Sequence, residues 1–161
     1  MNASSTRIAG WSLFVSILAL AVAAIQPGKE FYSKLTAASA SISTPKSDEV
    51  LVGPDHKIGG RARDIPLGSD LWVVVRTTGI GDWYPSERVA LPSPDGGDWS
   101  SEFSLGGPGK YQIFVYLADS QASGVLTEAL NKMQQNGFTS GIVSLPAGVT
   151  VKATVTVTRS S

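Results

Sequence analysis

Cysteine is missing from this chain, histidine occurs once, and the net charge is zero. The first absence excludes a disulfide framework and any thiolate-bound metal. With His56 alone there is no multi-histidine metal site and little side-chain acid–base chemistry near neutral pH. Thirteen Lys and Arg balance thirteen Asp and Glu. The chain therefore lacks the basic excess that binding to nucleic acid requires. No G-x-S-x-G elbow is present. The stretch GGPGK, 106–110, fails as a phosphate loop: Ser104 stands where its first glycine belongs, and Tyr111 where Ser or Thr belongs. Asp95 and Asp98 in DGGD are two carboxylates where calcium needs six or more oxygens, and they read as turn formers. The sequence implies no metal, no cofactor and no enzymatic activity.

What is present near the start is an uncharged apolar run, 8–25, IAGWSLFVSILALAVAAI, opened by Ile8 and closed by Ile25. As a helix it would span roughly 27 Å, close to the thickness of a bilayer's hydrocarbon core. Trp11 lies near one end, as interfacial indoles do. Gln26, Pro27 and Gly28 break the helix where it would leave the lipid. The run is expected to anchor the chain in a membrane with one crossing, the remainder lying on the extracytoplasmic side. The alternative is a cleavable signal peptide: Arg7 gives a thin basic start, and Ala21 and Ala23 fit a cleavage pattern after Ala23 that would release a secreted protein.

The expected organisation is a tail and anchor over 1–28, a juxtamembrane connector over 29–40, and one domain over 41–161. In that domain the pattern is β. Residues 40–44 and 49–52 read as weak edge strands, and 57–64 as a strand with an irregularity at Gly59-Gly60. LWVVVRT (71–77) and YQIFVYLA (111–118) are nearly continuous apolar runs, the mark of strands covered on both faces. Shorter strands fall at 83–91, interrupted by Pro85, and at 99–105. The last strand, 149–158, alternates, with Val149, Val151, Ala153, Val155 and Val157 on one face.

Before that last strand the period changes. Ala122, Val125, Leu126, Ala129, Leu130 and Met133 recur at helical spacing. Asp119 or Ser120 can cap the start, and Asn136-Gly137 can end it. The stripe is expected to pack on Trp72, Val74, Phe114 and Tyr116, which explains why the two central strands do not alternate. A helix that binds a partner is the other reading.

PDGGDWSSEFSLGGPGKYQIFVYLAD resembles bacterial immunoglobulin-like domains, in which a DG-x-W turn and strand precede a G-x-Y strand ending near an Asp. The matching residues are Asp95, Gly96 and Trp99, then Gly109, Tyr111 and Asp119. The preceding LWVVVRTTGIGDWYPSE is similar to the variant in small membrane-tethered bacterial proteins. The chain departs by one residue inserted before Trp99 and by the helix. The resemblance implies an immunoglobulin-like β-sandwich; with the two helices read from the residues, the expected fold is mostly β, an N-terminal transmembrane helix plus one immunoglobulin-like β-sandwich with one amphipathic helix inserted before the last strand. It implies adhesion, spacing or recognition, with no shared ligand and no catalytic residue.

The expected function is a membrane-anchored, non-catalytic recognition or structural module. Its partners are the lipid bilayer, through the run from Ile8 to Ile25, and a protein or a glycan. The alternatives are a secreted carbohydrate- or protein-binding domain and, third, a small enzyme. The candidate binding residues lie in GIGDWYPSER: Asp82, Trp83, Tyr84, Glu87 and Arg88. Aromatic and arginine anchors dominate interface energetics, and such rings also stack on sugars. The opposing reading is that Trp83 or Tyr84 folds back to plug the end of the sandwich.

Overall fold

The computed structural model describes residues 37–79, 81–93 and 95–161, which belong to one unit over 37–161. The apolar run 8–25 and the Ala23 cleavage alternative lie outside the described residues. Among those described, no helix is long and apolar enough to cross a membrane.

The elements, in order, are β1 (Ser39–Thr44), β2 (Glu49–Val52), β3 (Asp55–Arg63), β4 (Asp70–Thr77), β5 (Tyr84–Arg88), β6 (Gly96–Ser104), β7 (Gly109–Ala118), α1 (Ser120–Gln135) and β8 (Val149–Ser160). They build a mostly β fold with one helix. The strands form a three-stranded sheet, β1-β3-β6, and a five-stranded sheet, β2-β8-β7-β4-β5. This two-sheet arrangement is consistent with a β-sandwich. All neighbouring strands run antiparallel except β2 beside β8, which is parallel.

The apolar runs take the centre of the larger sheet. Paired residues share a face, so register sorts the side chains. Val73 pairs with Val115 and Val75 with Ile113 on one face, while Trp72 pairs with Tyr116 and Val74 with Phe114 on the other. Of these eight, seven are buried and Phe114 is half-buried. The Trp72 face is the one that α1 covers. Ala122 and Leu126 of the helix join Trp72, Val74, Tyr116 and Ala118 in one buried cluster, with Leu130, Phe114 and Val149 packed against it. The amphipathic stripe thus meets the partner expected of it.

The helix ends follow from local chemistry. The Asp119 carboxylate accepts the Ala122 N–H at 2.8 Å, satisfying one of the first-turn donors. Asn136 closes the helix and Gly137 follows at φ 64°, a left-handed conformation that costs glycine little. A polar chain ties the helix to β4: the Trp72 indole N–H donates to Ser123 Oγ at 3.0 Å, and Ser123 donates on to Asp70 at 2.5 Å. Ser123 is buried, so this chain satisfies groups that would otherwise be orphaned.

Two details differ from the sequence reading. The final strand does not keep its five apolar residues on one face. A register shift between Val115 and Tyr116 pairs Ala153 with Val115 but Val151 with Tyr116. Ala153, Val155 and Val157 therefore share the face of Val115, while Val151 and Val149 lie on the helix side. A β-bulge adds one residue and so swaps faces. The irregularity expected at Gly59-Gly60 falls on the partner strand instead, between Ile42 and Thr44 of β1.

Candidate functional site

The segment 81–88 enters the fold along the edge of the larger sheet, because β5 pairs only with β4. Its register also shifts, between Val73 and Val74, so Val73 faces Glu87 while Val74 faces Pro85. Pro85 is fully buried there. An edge position suits a residue with no N–H to give.

This geometry sends the five candidate residues to different places. Trp83 turns to the helix side. Its ring meets Phe114 edge-on at 5.1 Å and Tyr116 at 6.1 Å, and the Arg76 guanidinium lies 4.6 Å from its centroid. Its backbone forms a two-way bridge with Ile142, with N···O distances of 2.9 and 2.8 Å. Trp83 thereby pins the loop that follows α1. Gly141 sits so close that a Cβ there would lie 2.5 Å from the Trp83 carbonyl oxygen. Asp82 is half-buried beside that contact, its Cβ 3.0 Å from the same point.

Glu87 and Arg88 tie strands together. The Glu87 carboxylate accepts the Ser101 hydroxyl at 2.5 Å and the Glu102 N–H at 3.0 Å, so it bridges β5 to β6 across the two sheets. Arg88 reaches Asp70 at 3.8 Å, the carboxylate that also receives Ser123. Both Arg88 and Asp70 are partly solvated, so that ion pair contributes little by itself.

Tyr84 goes the other way. It pairs with Val75 and lines a cleft of about 850 Å³. His56, Phe103, Ser104, Gly107, Tyr111 and Phe138 line it as well. The volume lies in the range of small-ligand sites. The cleft opens where β5 and β6 part beyond the Glu87 bridge. Its walls are braced: the Tyr111 hydroxyl donates to the Gly107 carbonyl at 2.6 Å, and His56 Nε2 lies 2.8 Å from the Gly53 carbonyl. The His56 ring also sits 5.6 Å from Phe103.

Phe138 was not among the sequence candidates. It follows Asn136-Gly137, is about half exposed, and holds φ at 58°. A bulky residue in the left-handed region is uncommon and strained. The N–H of Phe138 donates to the Met133 carbonyl at 2.8 Å, and the Trp83–Ile142 bridge holds the loop beyond. The one signal in the sequence is that Phe138 is the lone aromatic of the loop 136–148.

The Asp98 carboxylate faces Arg61 at 3.7 Å. Among the described residues, no three His, Cys, Asp or Glu side chains gather as a metal site would need. Comparison with protein-family models and with curated proteins gives no match.

Proposed function

We propose that this chain is a membrane-anchored, non-catalytic recognition module. Its anchor is the run 8–25, its domain is an immunoglobulin-like sandwich on the extracytoplasmic side, and its binding site is the cleft beside Tyr84. The cleft is the observation that carries the reading: Tyr84 and Phe138 line it, and the residues around them are held by hydrogen bonds made elsewhere. Asp82, Trp83, Glu87 and Arg88 serve recognition indirectly, by fixing β5 and the loop after α1. The immunoglobulin-like assignment rests on the resemblance around Trp99 and Tyr111. The separation of the first two strands adds support, since β1 joins one sheet and β2 the other, beside the last strand.

Two measurements test this function. Wild-type chain should stay with carbonate-washed membranes, and arginine at both Leu18 and Leu20 should release it, each charge costing about 2.5–3.5 kcal/mol at the span centre. A wild type found wholly in the wash, shortened at Ala23, would make it a secreted binding domain. Tyr84→Ala should then weaken capture of whatever partner crosslinks to the full chain, with the thermal melt nearly unchanged.

A further inference from the structure

Among the described residues β6 is an edge strand, and the cleft runs along it. Leu105 N–H donates to the Pro54 carbonyl at 2.8 Å, so odd-numbered residues at this end of β6 turn their backbone groups toward β3. In an antiparallel ladder the alternate residues turn theirs away. Glu102 bears this out, because its N–H points across to the Glu87 carboxylate. That carboxylate and the Ser101 hydroxyl close the edge at one point. Past it, the Glu102 carbonyl, which takes a long bond of 3.4 Å from the Ser101 hydroxyl and keeps a second lone pair, and the Ser104 N–H and carbonyl face away from β3, on residues that line the cleft.

The two faces of β6 differ in chemistry. Phe103 lies on the cleft side, toward Tyr84, Tyr111 and Phe138. Glu102 and Ser104 lie on the outer face, opposite Lys57 and Asp55. On that rim two carboxylates, Asp55 and Glu102, stand against one ammonium, Lys57, which is 3.8 Å from Glu102. Asp55 also accepts the Ser104 hydroxyl at 2.7 Å.

We infer that the cleft takes a short extended peptide, which adds as a strand to the open end of β6. The inference rests on the recognition reading above and names its ligand. Main-chain bonds to Glu102 and Ser104 set the register, and alternate side chains go to opposite faces. Those facing inward enter the aromatic cleft and are large and apolar. Those facing outward meet the acidic rim and are basic. Because Glu87 stops the strand at one end, the recognised segment is only a few residues long.

The probe is an array of acetylated hexapeptides that alternate Lys with Phe, Tyr, Leu or Val, presented to the full chain in mild detergent. The strongest binder is resynthesised twice, with backbone N-methyl groups on one alternate set of amides or on the other. N-methylation removes a donor without touching the protein. A strand added to one edge uses one set, so one N-methylated peptide should lose about tenfold or more in affinity and the other should stay within about threefold. Phe138→Ala should weaken the parent peptide about tenfold, and Glu102→Lys should weaken the parent peptide more than a version of it resynthesised with Ser in place of each Lys. Equal binding of both N-methylated peptides overturns strand addition, and so does the absence of any binder in the array. A chito-oligosaccharide that binds in a Phe138-dependent way, with no peptide binding, would overturn the peptide while keeping the cleft as a recognition site. If neither probe depends on Tyr84 or Phe138, the recognition reading itself fails.

Discussion

On the helix side of the five-stranded sheet, Trp72, Val74 and Tyr116 are sealed under Leu126 and Ala122, with Trp83 closing the margin. At the seam between β5 and β6, the Glu87 carboxylate joins the sheets, and beyond it the cleft stands open. Both regions are rich in aromatic rings. They differ in what covers them: sixteen residues of amphipathic helix in one case, and one half-exposed phenylalanine in the other. Trp83 and Tyr84, adjacent in sequence, belong one to each. Trp83 is held on the sealed side and Tyr84 lines the cleft, so β5 is the boundary between the two regions.

The seal over Trp72 and Val74 depends most on Leu126. This side chain is fully buried, so Leu126→Ala should cost about 2–5 kcal/mol in denaturant unfolding. Leu130, only partly buried, should cost less when truncated. Equal and small losses at both positions would mean that the helix does not seal the sheet.

A smaller effect separates the neighbours. Trp83→Ala removes a half-buried ring and its contacts with Phe114, Tyr116 and Arg76. It should cost about 1–3 kcal/mol and lower Tm by several degrees. Tyr84→Ala should shift Tm far less. Matching melts for the two variants would place Tyr84 in the core and close the cleft reading. Smaller again is Asp119→Ala, which deletes the helix cap and should cost about 1 kcal/mol, with Asp119→Asn recovering most of it.

Much of the sealed region is readable from residues 71–77, 111–118 and 122–133. Runs apolar on both faces need two covers, and a helical stripe needs one. The caps at Asp119 and Asn136-Gly137 are equally local and follow from side-chain chemistry. The open region is another matter. Which face Tyr84 takes depends on a register shift between Val73 and Val74, and the faces of Val149 and Val151 depend on another near Val115. Bulges are set by the pairing of two strands, and neither strand alone carries the pattern. Glu87 reads as an exposed charge until β6 is brought beside it. Phe138 reads as a loop residue until the Trp83–Ile142 bridge holds that loop against β5.

The gentlest test of the sealed side is its response to alkali. Tyr116 is buried in the helix-side cluster, and that burial raises its pKa above the usual 10.0, opposed in part by the nearby Arg76 charge. Its neutral form is thus favoured in the folded state. The stabilisation is complete below the unfolded tyrosine pKa and is lost as pH rises through the folded one. Unfolding free energy should therefore decline above about pH 10, and Tyr116→Phe should flatten that decline without moving the neutral-pH melt by much. The difference between the ultraviolet titrations of wild type and Tyr116→Phe should show this phenol ionising above the usual 10.0. Were the decline unchanged in Tyr116→Phe, the phenol would have to reach water in the folded protein, and the seal over Trp72 and Val74 would be looser than the packing of Leu126 requires.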